Sequence, residues 1–109
     1  MQMEARLDRT FRALSDQTRR AMIHALAGGK ARSAGELGRQ FPSAQPTISR
    51  HLRVLESAEL IERTVEGRVH RFRLRQQPLR EVEDWVVRHQ AFWAGAVEQL
   101  ERWLEEDES

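Results

Sequence analysis

With 109 residues the chain can build one small domain with a modest core, and it is too short for a second independent one. It contains no cysteine, which excludes disulfides, thiol switches and thiolate metal sites, and it has no apolar run of the ~18 residues that a membrane span requires. The formal charge of +1 conceals a division of sign: residues 1–75 carry 15 Lys and Arg against 8 Asp and Glu, whereas residues 76–109 carry 3 against 9. A basic body suits a polyanion such as double-stranded DNA, and an acidic end is repelled by phosphate. The start, Met1-Gln2-Met3-Glu4-Ala5-Arg6, lacks the apolar centre of a signal peptide, so the expected location is cytoplasmic, with no membrane contact.

Met3, Leu7, Phe11 and Leu14 recur at helical spacing with Arg6, Arg9 and Arg12 between them, predicting a first amphipathic helix within residues 1–14. Asp16 is placed to cap a second helix, whose buried side is Met22, Ile23 and Leu26 and which Gly28-Gly29 ends. Ser33-Ala34-Gly35-Glu36 fits a capping box at the start of a short third helix with Leu37 and Phe41 inward. A tight connector, Pro42-Ser43-Ala44, leads to a fourth helix beginning near Gln45. Either Ser43 or Ala44 is its N-cap: Ser43 would leave Pro46 at N3 without an N–H, and Ala44 offers no side-chain acceptor. Residues 33–57 thus match helix-turn-helix spacing, in which the second helix is presented to a DNA groove.

In that helix Ile48, Leu52 and Leu55 form one buried stripe, and Pro46, Ser49, Arg50, Arg53 and Ser57 point the opposite way. The outward face is short, polar and cationic, and it carries no acid. Arg can hold a guanine edge with two hydrogen bonds, Gln does the same for adenine, and Thr offers a hydroxyl and a methyl to thymine. An amphipathic core helix with exposed arginines would show the same stripe, but a helix chosen for solubility normally interleaves acids, and here the first is Glu56.

From Ile61 the period changes to two, and the alternation continues through Leu74 around Glu66-Gly67, predicting a two-stranded hairpin within 60–75. Arginine stands at 63, 68, 71, 73 and 75, so the hairpin reads as a wing, with Arg63 and Arg71 on its strands and Arg68 at its tip able to enter a minor groove. Pro78 opens a last helix over 78–105. Leu79, Val82, Val86, His89, Trp93, Val97, Leu100 and Leu104 follow at spacings of three and four, widened by Trp85, Phe92 and Trp103. At ~1.5 Å per residue such a helix runs about 40 Å, more than the preceding body can cover. The simplest cover is a second copy: a homodimer through Leu7, Phe11, Val82, Trp85, Val86, His89, Phe92, Trp93, Val97 and Leu100. Residues 105–109 read as an acidic tail.

Phe11-Arg12-Ala13-Leu14-Ser15-Asp16-Gln17-Thr18-Arg19-Arg20, the stretch from Gln45 to Leu55, then Leu60-Ile61 and Glu66-Gly67-Arg68, in this order, closely resemble the ArsR-type winged-helix repressors. The resemblance covers roughly residues 5–75. It implies a mainly α winged helix-turn-helix of five helices and a two-stranded β wing, an obligate homodimer through the first and last helices, and repression by operator binding that an effector relieves. By position it implies that Gln45, Thr47, Ser49 and Arg50 contact bases or phosphates, that Ser33 contacts a phosphate and that Arg68 sits at the wing tip. Gln17 stands where the family commonly has Pro, and Ala44 where it commonly has a Ser cap.

No metal or other cofactor is expected. The cysteine pair that some members carry in the third helix has no counterpart here, and Asp84 and His89, the only plausible ligands on the last helix, are five residues apart and so not on one face. No phosphate loop, nucleophile elbow or paired His/carboxylate set points to an enzyme. A small-molecule effector is left unidentified: a cleft lined by Trp85, His89, Phe92 and Trp93 could hold an apolar ligand, although dimer packing accounts for the same residues. The competing function is a winged-helix interaction module whose aromatic last helix binds a different protein.

Overall fold

The computed structural model describes residues 2–108; Met1, at the head of the expected first helix, and Ser109, at the end of the acidic tail, lie outside the described residues. The elements run α1 (Gln2–Leu14), α2 (Gln17–Leu26), β1 (Arg32–Ser33), α3 (Ala34–Gln40), α4 (Gln45–Ser57), β2 (Ile61–Glu66), β3 (Val69–Leu74) and α5 (Gln77–Glu108). The architecture is the expected mainly helical winged helix-turn-helix, with one correction. The two-stranded wing, β2 and β3, is joined by a third strand, because Arg32 and Ser33 pair antiparallel with Phe72 and Arg71 and make a sheet of order β1-β3-β2. Two residues carry no period that a sequence can show, and the strand exists only because β3 lies beside it.

Each helix boundary has a local cause. The Asp16 carboxylate accepts the Arg19 N–H at 3.0 Å and starts α2, as expected. Gly29, at φ +80°, supplies the left-handed residue that follows its end. Pro42 disfavours helical backbone in the residue before it, and Phe41 is extended at φ −122°, ψ 133°, so α3 stops at Gln40 and the connector is the four residues 41–44. Ala44, not Ser43, is the N-cap of α4; it makes no side-chain cap bond, and its carbonyl takes the N–H groups of Thr47 and Ile48 at 3.0 and 3.1 Å. Pro46 therefore sits at N2, where its missing N–H removes an unpaired donor rather than a helical bond.

The far end of α4 is a Schellman turn. Leu60 N–H bonds the Leu55 carbonyl at 3.0 Å and Glu59 N–H bonds that of Glu56 at 3.0 Å, while Leu55 and Leu60 are both fully buried. The left-handed residue is Glu59, at φ +61°, where a glycine is the usual occupant. This turn delivers the chain directly into β2 and so sets the wing against the end of α4. The wing itself turns at Gly67, φ +60°, between the paired Glu66 and Val69, and a single positive φ at the first loop position is the II′ geometry that matches strand twist.

The core gathers Met22, Leu26, Leu37, Ile48, Leu52, Leu55, Leu60, Ile61 and Phe72 from α2, α3, α4, the turn after α4, β2 and β3, and Ala13 brings α1 to its edge. Leu7, expected at the dimer face, is 5% exposed and so already buried within the single chain, in which α1 packs on α5. Arg6 pairs with the half-buried Glu81 at 3.2 Å across that contact, and Phe11 meets Trp85 edge to face at 6.1 Å. Beyond residue 90 the long helix leaves the body and every described side chain is exposed.

A non-glycine residue in the left-handed region costs ~1–2 kcal/mol, part of which glycine's greater unfolded-state entropy would offset. Replacing Glu59 with Gly is therefore expected to raise unfolding stability by about 0.5–1 kcal/mol in urea melts at fixed protein concentration. Equal or lower stability would mean that the Glu59 side chain contributes a compensating contact.

Candidate nucleic-acid interface

Burial of Ile48, Leu52 and Leu55 turns the opposite side of α4 outward, as the spacing predicts. Gln45, Pro46, Arg50, Arg53 and Ser57 are exposed, whereas Thr47 and Ser49 are half-buried, so the two hydroxyls sit at the margins of that face. Gly38 lies beneath the Gln45 side chain: a Cβ added there would come within 3.1 Å of Gln45 Oε1. The glycine in α3 thus lets the first side chain of the reading helix lie close against its neighbour.

The arginines divide by whether the protein already holds them. Among the described residues no acid pairs with Arg50, Arg53 or Arg68. Arg68 occupies the exposed hairpin tip. Arg63 and Arg71 are held. The Arg63 guanidinium lies 2.9 Å from Glu56 and 5.1 Å from the Phe72 ring centre, with His70 at 3.2 Å. Arg71 lies 3.7 Å from Glu36 and 3.8 Å from Glu66. The register pairs Arg63 with Phe72 and Thr64 with Arg71, so the two arginines project from opposite faces of the hairpin.

Ser33 caps α3, its Oγ accepting the Glu36 N–H at 3.1 Å. The same hydroxyl faces Glu36 Oε1 at 3.3 Å, so the carboxylate of the expected capping box turns to the serine hydroxyl and to Arg71. Apart from Val65 and Val69 on the wing, the large exposed apolar residues lie on α5 and α1: Phe11, Val86, Phe92, Trp93, Val97 and Leu100 are all exposed, and Val82, Trp85 and His89 are half-buried. His89 stacks on Trp85 at 4.5 Å and its Nδ1 lies 2.7 Å from the Trp85 carbonyl, so both residues are engaged within their own helix.

Sequence reasoning missed what Arg19 and Arg20 do. Arg19 Nε donates to the Ala13 carbonyl at 2.6 Å and its Nη2 to that of Arg12 at 3.2 Å, while Arg20 Nη1 donates to that of Leu14 at 2.6 Å. These are carbonyls of the last turn of α1, where the helical ladder runs out, and that of Arg12 also takes the Ser15 N–H at 3.2 Å and hydroxyl at 2.6 Å. Arg19 Nη1 also lies 3.3 Å from Nδ1 of His51, which is turned inward from α4 with 13% of its side chain exposed. His51 is thus a structural residue, next to Leu52 of the buried stripe and turned toward α2. The signal was present: two cations in the first turn of α2 oppose its dipole, and a tertiary acceptor must compensate them.

Asp16 completes this cluster. Its carboxyl is held below the usual range, first by the hydrogen bond from the Arg19 N–H, which outweighs an opposing effect of burial, and further by the charges of His51, 4.0 Å away, and Arg19.

A helix-turn-helix domain model matches residues 14–64. The transcriptional repressor SdpR of Bacillus subtilis is 32% identical over 81 residues, which span 74% of this chain and 89% of that protein. The HTH-type transcriptional regulator Rv2034 of Mycobacterium tuberculosis is 46% identical over 54 residues, half the length of each chain. The crystal structure of an ArsR family transcriptional regulator superposes with a TM-score of 0.77 at 32% identity, covering 84% of this chain and 93% of that one. A helix, a short turn, a reading helix and a wing define a winged helix-turn-helix transcriptional regulator. The chain belongs to the ArsR family of such regulators, a family of DNA-binding proteins and not of enzymes. Among the described residues no helix is long and apolar enough to cross a membrane.

The folded Asp16 carboxyl binds its proton less tightly than an unfolded one, with its pKa of ~3.9. Its contribution is therefore complete above that value and is lost as pH falls through the lower folded value. Replacing Asp16 with Asn keeps a capping oxygen and removes the charge, so the stability gap between wild type and D16N should narrow as urea melts are taken from pH 6 to below about 4. A gap independent of pH would show that the charge contributes nothing.

Proposed function

We propose that this protein is a homodimeric, metal-independent repressor that binds an inverted-repeat operator in double-stranded DNA and is released by an effector. The observation that carries this reading is the unpaired cationic face of α4, Arg50 and Arg53, together with the free Arg68 at the wing tip. Gln45, Pro46, Thr47 and Ser49 line the start of the same helix, where a major groove admits base-edge contacts, and Ser33 at the start of α3 contacts a phosphate. Arg63 and Arg71 contribute field and orient the wing, because reaching DNA would cost each its carboxylate partner.

Pairing of two copies is supported by α5. Val86, Trp93, Val97, Leu100 and Leu104 fall on one side of that helix at spacings of three, four and seven, and each is roughly half exposed in the single chain. With Phe11, Val82, Trp85, His89 and Phe92 they form a two-fold face that places the reading helices about one helical turn, ~34 Å, apart. SdpR, a repressor by name, supports the direction of regulation.

Selection of bound fragments from random duplexes should return a palindrome. On it, Arg50→Ala or Arg53→Ala should cost on the order of 1–3 kcal/mol where the side chain reads a base. Where it contacts phosphate, the loss should instead be uniform across sequences, with the salt slope reduced by about 1. Affinity indifferent to salt would sink the reading.

Val97 is 54% exposed within one chain, so Val97→Glu should leave the helical signal intact while converting a dimer to a monomer in sedimentation velocity. A wild-type protein that sediments as a stable monomer and gains mass only with a foreign protein would instead favour the interaction-module reading.

A further inference from the structure

Between α1 and α4 lies an open groove of about 310 Å³, within the lower end of the ~300–1,000 Å³ typical of small-ligand sites. Its floor is apolar, formed by Ala13, Val54 and Ala58, and its walls carry Arg9 and Arg12 from α1 and Arg50 and Arg53 from α4. Among the described residues none of these four guanidiniums has an ion-pair or hydrogen-bond partner. Four like charges around one concavity repel one another, and an anion seated between them relieves that repulsion.

A phosphodiester backbone matches the walls but has no use for the floor. A small organic anion uses both, its apolar body covering Val54 and its charged end taking charge-assisted bonds from the arginines. The groove also lies away from the proposed dimer face: on α1, Arg9 and Phe11 are roughly 160° apart around the helix, and Phe11 is the residue that meets Trp85.

We propose that the groove between α1 and α4 binds small carboxylates with an apolar body, and that an occupant competes with DNA for Arg50 and Arg53. The competition rests on the DNA-binding reading above; the ligand site does not. It is a different place from the aromatic residues of α5, where Trp85 is already covered by Phe11 and His89.

The probe is 2-naphthoate, titrated by amide NMR without DNA. Saturable shifts are expected at Ala13, Val54 and Ala58. Loss of charge-assisted bonds should weaken binding about tenfold or more for the neutral alcohol 2-naphthalenemethanol and for the double variant R9E/R12E. Ser57→Trp, an exposed position at the groove edge, should weaken it similarly by filling the space. On the selected duplex, 2-naphthoate should raise the apparent Kd for DNA of wild type several-fold and leave that of R9E/R12E unchanged relative to its own value without ligand. Three results would each overturn the proposal: equal binding of acid and alcohol, shifts confined to residues 77–108, or no saturable binding. Loss of DNA affinity in R9E/R12E without naphthoate binding by wild type would mark the groove as a phosphate track. Failure of wild type to bind any duplex would sink the repressor reading while the ligand titration still decided the site.

Discussion

Three helices of this protein are held in register by one guanidinium. Arg19 takes two carbonyls at the end of α1, its backbone N–H is fixed by Asp16, and its free nitrogen meets His51 of the reading helix. The bonds to α1 and from Asp16 serve groups at helix ends, the Arg12 carbonyl being shared with Ser15, so the cluster forms largely for local reasons and has a long-range result. The orientation of α4, which faces outward with its arginines, is thereby tied to α1, which packs on α5.

The second constraint is the allocation of charge. Several acids are committed to particular arginines: on the body Glu56 to Arg63 and Glu36 and Glu66 to Arg71, and at the start of α5 Glu81 to Arg6. These pairs are partly exposed and each contributes little stability, so their effect is better understood as selection. They fix the wing strands against α4 and α3 and leave uncompensated those arginines that sit on the outer face of α4, along its groove with α1 and at the hairpin tip. A census of arginines treats all of them alike, whereas the fold withdraws Arg63 and Arg71 from that pool and keeps Arg50, Arg53 and Arg68 in it.

The same distinction explains what could be read from residues alone. Periodicity identified the helices, the buried stripe of α4 and the hairpin at Glu66-Gly67, because each reflects a repeating burial pattern within one element. Pairwise facts were not legible. That Arg32 and Ser33 form a strand depends on β3; that Leu7 is buried within its own chain depends on how α1 lies; and that Ala44 caps α4 depends on Pro46 preferring N2. The roles of Arg19 and Arg20 fall between these cases, since their misfit with the helix dipole was visible but their acceptors were not.

The last helix shows how the two halves of the chain divide their work. α5 is 32 residues long, close to 48 Å at ~1.5 Å per residue, in a molecule whose longest extent is 70 Å. The body covers only its first turns, through Val82, Trp85 and Glu81, and the apolar stripe continues uncovered to Leu104. Its polar side is rich in acids, 9 against 3 basic residues over 76–109. Solubility alone would not place tryptophans on such a surface, since a helix that needs no partner has no reason to keep the stripe apolar. Pairing through that stripe would bury the aromatics and leave the acids outward. It would also hold that acidic column away from phosphate, because a strong negative surface beside the reading helices would oppose their approach to DNA. The sign division along the sequence and the uncovered stripe along the helix are then two consequences of a single arrangement.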